Sequence, residues 1–444
     1  MDKIEQKIIE IIDNNREEII KFARDIYSNA ELGYKEVKTS EKVAEILGRN
    51  TEILKKDVAI TGIKGYLKKV NPEETNVALI GELDAVVCPS HSFADKETGA
   101  SHSCGHHAQL AGIVGASIAL SDEEVKQHID GNVTFFAVPS EEYGEIEFKN
   151  SLKEKELIRY GGGKSELIRL GEFDDVDIAI AHHSRPDKED VIVGDTTTNG
   201  FVSKLIKYKG KESHAAGSPQ LGINALNAAN IGLNALAYQR ETFKDEDSVR
   251  VHPIITKGGD LVNVIPGEVT IETLVRGKTI EAILDADKKV DRSFKAGALA
   301  IGAQIEIKTF PGYLPVIPIE PSEIILDVAK EVVKEGVVKK VDSGAHLAGS
   351  TDVGDLTHII PVLKFETGGV EGALHSEDFT IVNEEIAYIA TAKIMALTAY
   401  RLLKEKAHEA KKIKDTFKPR FTVEEYRAYM NSLENTLKED YRNE

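Results

Sequence analysis

The sequence predicts an α/β protein: a split catalytic domain with a smaller α+β domain inserted into it. Three observations predict it. Strand-like apolar runs alternate with helical segments up to about residue 196 and again after 311, the pattern of a sheet covered on both faces. Between 197 and 311 the order becomes β-α-β-β-α-β, that of a ferredoxin-like sandwich. Residues able to carry chemistry, namely Asp84, Glu141, Glu142 and His183, fall just past strand ends, where ligands sit in such sheets.

The elements follow in order. Ile4, Ile8, Ile12, Ile19, Phe22 and Ile26 recur near helical spacing and predict an amphipathic helix over 3–28. Strands are predicted at 61–70, 76–86, 132–138 and 176–181, with a small-residue helix near 105–121. The inserted part reads as strands at 201–208, 249–256, 268–275 and 304–310, with helices at 222–239 and 279–299. Helix 320–336, strand 362–365 and helix 384–403 return to the first style. The predicted parts are thus 1–196 and 312–405 for the catalytic domain, 197–311 for the insertion, and 406–444 for a charged, mostly helical extension.

Composition narrows the function. A net charge of −18 over 444 residues argues against nucleic acid, which needs a basic stripe, and against an anionic membrane surface. It leaves room for a metal site held by carboxylates. The N-terminus leads straight into a charged helix, with no leader pattern. No apolar run approaches the ~18–20 residues of a spanning helix. Two cysteines, Cys88 and Cys104, form no disulfide framework, so the expectation is a cytoplasmic protein.

Four segments carry candidate chemistry. In Cys104-Gly105-His106 a thiolate and an imidazole can face one metal across a glycine turn, although a helix start with a buried cysteine reads equally well. Glu141 and Glu142 follow an apolar strand, where two adjacent carboxylates resist burial unless a metal takes one and the other acts on its water. His182 and His183 leave a buried strand together, and spacing alone does not choose between them. His375 follows the strand at 362–365. The ensemble offers five N, O and S donors from separate strand ends, enough for two divalent ions sharing a water, with Glu141 left over as a base.

In this order the segments resemble the aminoacylase/carboxypeptidase-type metallopeptidases, in the branch with aminobenzoyl-glutamate, hippurate and indole-acetyl-amino-acid hydrolases. The resemblance spans about 20–405. It rests on Gly81-Glu82-Leu83-Asp84-Ala85, Cys104-Gly105-His106, Pro139-Ser140-Glu141-Glu142, Ser213-His214-Ala215-Ala216, Asn263-Val264-Ile265-Pro266, Arg276, Gly349-Ser350-Thr351-Asp352 and Leu374-His375-Ser376. It implies a di-metal aminopeptidase/phosphorylase-like catalytic domain with an inserted dimerisation domain, hence a homodimer. It implies Cys104, His106, Glu142, His183 and His375 as metal ligands, His183 being chosen because it lies six residues after Asp177. Glu141 matches the general base, and His214 a residue that holds the oxyanion in a neighbouring site. Asn263, Arg276 and Asp352 fall at substrate-binding positions, and Asp84 supports the metals from behind.

The implied reaction is hydrolysis of an N-acyl amino acid amide with two divalent ions, zinc or manganese with cobalt as a further candidate. A dipeptidase or carboxypeptidase on the same scaffold is the alternative, and a non-catalytic metal-containing binder a more distant one. Two departures stand out. His107-Ala108-Gln109 replaces the Asp-Gly-His common after Cys-Gly-His, and the stretch around 146–165 is longer than the usual pattern. That stretch reads either as a wall of the substrate pocket or as a surface insertion.

Overall fold

The computed structural model describes residues 1–341 and 344–442. Its larger sheet has eight strands. The centre is parallel: Asn132–Val138, Asn76–Glu82, Ile178–Ser184 and Val362–Thr367 lie side by side in that order. Buried on both faces, these strands read as almost unbroken apolar runs rather than alternating ones. Ile53–Val58 and Gly62–Tyr66 add an antiparallel edge on one side. Val191–Val193, antiparallel to Val362–Thr367, and then Val338–Lys340 close the other.

Helix His106–Leu120 packs between this sheet and the helix Thr391–Thr416. Its small residues allow the close approach. A Cβ at Gly112 would lie 2.7 Å from Thr391 Cγ2, and one at Gly115 would lie 2.6 Å from Ala392 Cβ. The second helix is interrupted by non-helical backbone at Lys404–Ala407, yet with the π-helical turn Glu385–Ala390 in front it is long and apolar enough to cross a membrane, which the sequence reading did not anticipate. Its most apolar window is 89% buried inside the protein, so that hydropathy is spent on the core.

The inserted sheet runs 250–251, 268–277, 200–209, 304–311, all antiparallel, with helices Ala225–Gln239 and Ile280–Ile301 packed on it. This is the ferredoxin-like order. Three local expectations are revised. The opening helix is two, Lys3–Asn14 and Arg16–Tyr27, broken at Asn15, whose side chain bonds back to the Ile11 carbonyl at 2.8 Å. The strand expected at 249–256 splits into Arg250–Val251 and Ile254–Lys257, with Pro253, which has no N–H to pair, between them. The C-terminal extension is helical at Val423–Ser432 but ends as the strand Asn435–Asp440, paired antiparallel with Gln304–Pro311. Its sequence, Asn-Thr-Leu-Lys-Glu-Asp, is charged and mostly exposed, as an edge strand held by backbone pairing can be.

Candidate metal centre

The centre forms at the carboxyl ends of the parallel strands. Asn76–Glu82 delivers Glu82 and Asp84, Asn132–Val138 delivers Glu141 and Glu142, Ile178–Ser184 contains His183, and the segment after Val362–Thr367 brings in His375. Cys104 and His106 come from the turn that starts helix His106–Leu120. Gly105 has φ +87°, and a Cβ there would lie 2.7 Å from Ser184 Cβ. Only glycine fits that turn. Ser140 and His375 also hold positive φ, +49° and +59°. Such strain persists where packing enforces it, and it gathers at functional sites.

The five donors singled out in the sequence converge. Cys104 Sγ lies 3.4 Å from His183 Nε2 and 3.2 Å from His375 Nε2. His375 Nε2 lies 2.9 Å from Glu142 Oε1. Two triads result, Cys104–His106–His183 and Cys104–Glu142–His375, each with donor atoms within 4.8 Å of one another and sharing the sulfur. Strand alternation separates the paired histidines. His183 faces the cluster, while His182 Nε2 is 2.7 Å from Thr367 Oγ1.

His106 Nδ1 sits 2.8 Å from the Asp84 carbonyl, so this nitrogen carries the proton. Its buried Nε2 has no hydrogen-bond partner among the described residues. The Asp84 carboxylate accepts the Glu142 backbone N–H at 2.8 Å, tying two donor-bearing loops together. An orphaned imidazole nitrogen beside a thiol and carboxylates is the donor chemistry of a transition-metal site, and the residues fit a pair of divalent ions.

Electrostatics agree. Burial and the Glu142 carboxylate push the Cys104 thiol up, but His106 and His183 outweigh them and bring it down to about 6, a ready thiolate. Burial acts to raise Glu142, yet hydrogen bonding and charge from His375 bring it down to about 2. Glu141 behaves oppositely. Burial and the negative charges of Glu82, Glu142 and Asp352 push its carboxyl well above the usual range, which raises its affinity for a proton. The Tyr313 hydroxyl donates to the Glu141 carbonyl and fixes that backbone.

Behind Ser140 lies Glu36, fully buried, accepting the Ser140 N–H at 2.8 Å and the Thr61 hydroxyl at 2.7 Å. Burial and the nearby Asp84 charge push its carboxyl from 4.5 up to about 7. The folded state therefore binds this proton more tightly than the unfolded chain. The resulting stability is present below pH 4.5 and lost as pH rises through 7. Glu36→Gln is thus expected to exceed the metal-free wild type at pH 8 by on the order of 2 kcal/mol, a gap that closes toward pH 4.5. Urea midpoints at pH 5 and 8 check this, and a gap independent of pH refutes it.

Sequence reading missed three residues here. Glu82, His106 and Glu141 form a third close group. Lys164, fully enclosed, donates to Glu82 Oε1 at 2.6 Å and Asp352 Oδ1 at 2.5 Å, and its backbone N–H reaches Asp352 Oδ2 at 2.9 Å. Gln109 Nε2 donates to Glu82 Oε2 at 2.7 Å, and its Oε1 accepts the Glu82 N–H at 3.0 Å. Glu82 was findable, since it ends the strand Asn76–Glu82 two residues before Asp84. Nothing in Gly161-Gly162-Gly163-Lys164 signals a buried lysine. Asp352, placed by resemblance at a substrate-binding position, is fully buried and borders neither cavity, its carboxylate accepting from Lys164.

A sequence profile of the peptidase family M20/M25/M40 matches residues 78–401. The chain belongs to this family. As an M20 peptidase it is an amide-bond hydrolase. It is 28% identical over 341 residues to the Xaa-Arg dipeptidase of Mus musculus, covering 74% of this chain and 70% of that protein. It is 24% identical over 416 residues to one subunit of the p-aminobenzoyl-glutamate hydrolase of Escherichia coli K12, covering 89% and 80%. A dinuclear metal-binding M20 peptidase of Bacillus subtilis shares the fold, with a TM-score of 0.59, 24% identity and coverage of 88% and 99%.

In this M20 peptidase two cavities flank the donor cluster, one of about 300 Å³ bordered by Tyr143, Lys149 and Phe201, the other of about 390 Å³ bordered by His183, Lys364 and Leu374. Glu141, Glu142, Arg276, Ser350 and His375 border both. Arg276 donates to Ser350 Oγ at 3.0 Å and lies over the Phe201 ring. The long stretch at 146–165 is a wall and floor, not a surface ornament: helix Ile146–Glu154 sets Lys149 at the first cavity, and Lys164 lies beneath. His214 and Asn263 sit elsewhere, exposed on the inserted domain, where the Ala215 N–H donates to the Asn263 carbonyl at 2.9 Å.

Proposed function

We propose that this M20 peptidase is a two-metal amidohydrolase that cleaves the amide of an N-acyl amino acid. The carrying observation is the pair of donor triads sharing Cys104, with Glu141 beside them and a cavity on either side. Cys104, His106 and His183 would hold one ion, and Cys104, Glu142 and His375 the other, with zinc, manganese or cobalt all compatible with the donors. When bound, the ions polarise the scissile carbonyl and make water acidic near neutral pH. Glu141 takes the proton of the attacking water and returns it to the leaving nitrogen. Arg276, between the two cavities, receives the substrate carboxylate.

His214 Nδ1 accepts the Gly217 N–H at 2.9 Å and the Ala216 N–H at 3.2 Å, which leaves Nε2 to carry the proton and donate. Exposed on the inserted domain, it suits the oxyanion in a second copy of the chain, with Asn263 close by. Ile254, Ile255, Leu261 and Val262, all exposed on the same domain, support a homodimer formed there. Two buried free cysteines suit a reducing compartment such as the cytoplasm. The 28% relatives named Xaa-Arg dipeptidases favour a second reading, a dipeptidase using the same residues.

The test is chelator-stripped protein reloaded with zinc, manganese or cobalt and offered N-acyl amino acids and dipeptides. Release of free amino acid from the acyl compounds is expected with at least one metal. Cleavage of dipeptides alone selects the second reading, and two bound ions with no amine released from either class sinks both.

A further inference from the structure

We propose that Glu82 is a sixth protein donor at the metal centre, sharing an ion with His106 and set in place by Lys164 and Gln109. This rests on the two-metal reading above. Glu82 Oε2 lies 3.1 Å from His106 Nε2, the orphaned nitrogen. Two donors on one ion at ~2.0–2.2 Å stand roughly that far apart. The Glu141 carboxylate is 3.9 Å from the same nitrogen, so the general base borders the ion that Glu82 and His106 would share.

A plain buried ion pair does not account for Glu82. Lys164 carries one positive charge against the two carboxylates of Glu82 and Asp352, and all three side chains are enclosed. One negative charge is left over on a group that is almost enclosed, at the wall of the second cavity. A surplus buried charge is strongly unfavourable unless a further cation balances it. The group on the remaining side of Glu82 is His106, and an ion held between the two would balance it. The anchoring also fits a ligand rather than a free side chain. Lys164 occupies Oε1, Gln109 donates to Oε2, and an ionised carboxylate oxygen accepts more than one partner. Hydrogen-bonded supports of this kind orient metal-bound carboxylates. The departure at Gln109 thereby acquires a role: its amide clasps the main chain and side chain of Glu82 together.

Metal titration of dialysed wild type, Glu82→Gln and Asp352→Asn tests the assignment, with zinc measured by competition against a chromophoric chelator and cobalt by visible absorption. Wild type is expected to take two ions. Glu82→Gln is expected to keep one and to bind the other roughly tenfold or more weakly, with an altered cobalt spectrum. Asp352→Asn, which removes a charge from the same cluster but no donor, keeps both. If Glu82→Gln does not fold, Glu82→Asp, charged but shorter, carries the same expectation for the second ion. Two ions held by Glu82→Gln at wild-type affinity with an unchanged cobalt spectrum overturn the proposal and leave the two-metal reading standing. An equal loss in Asp352→Asn assigns the effect to the ion-pair cluster and also overturns it. A wild type that binds no ion overturns both readings.

Discussion

Glu141→Gln is expected to lower kcat by roughly 10²–10⁴-fold, the usual worth of a positioned general base, while the protein keeps both ions. The division follows from the geometry. Glu141 belongs to neither triad built on Cys104, whereas Glu142 lies 2.9 Å from His375 within one of them. Its elevated proton affinity, caused by burial among Glu82, Glu142 and Asp352, is what a base in this role needs. The amide removes that basicity without changing size. Stopped assays on the best substrate of the panel, beside metal analysis of the same sample, give the answer. Full turnover with two ions bound removes Glu141 from the role; loss of an ion makes it a ligand instead.

Lys164→Met is expected to cost about 3–5 kcal/mol, the scale for breaking a buried ion pair from one side. Lys164 touches Glu82 and Asp352 at 2.6 and 2.5 Å, and methionine fills the space while leaving both carboxylates unpaired. Urea unfolding of the metal-free protein at pH 7 measures it. Adding Glu82→Gln and Asp352→Asn to the same chain is expected to recover much of the loss, because the charges are then absent rather than stranded. A loss under about 1 kcal/mol, or no recovery, would show the cluster to be less isolated from water than its burial indicates.

Much of this site could be read along the chain because its candidate donors sit in or near strand ends and a helix start, where local sequence reports both element and chemistry. Cys104, His106, Glu142, His183 and His375 each stood next to such a signal. His183 over His182 could not be read from residue chemistry alone, yet it follows from strand alternation, which turns His183 toward Cys104 and His182 toward Thr367. Lys164 was invisible for a physical reason. A lysine after three glycines looks like a solvated loop until the fold closes over it, and its burial depends on Glu82 and Asp352, which lie 82 and 188 residues away. The pairing of Asp352 with Lys164 was invisible for the same cause. The strand Asn435–Asp440 carries little apolar pattern because pairing with Gln304–Pro311 is made by its backbone. The fold class, by contrast, rests on periodicity summed over long segments, where single misreadings average out.

That terminal strand alters the mechanics of the inserted domain. A domain inserted at two points, here near 199–200 and 311–313, swings like a door on a pair of pins. This one has a third attachment. Leu433 packs against the cores of both domains, and Glu434 pairs with Lys153 at 3.0 Å and Arg159 at 3.3 Å just before the chain joins the far edge of the inserted sheet. A third attachment restrains rotation about the axis through the first two. Swinging of the domain must therefore shear the Leu433 packing or peel the strand. The same three-point mount holds helix Ile146–Glu154, and with it Lys149 at the first cavity, in register with the sheet above.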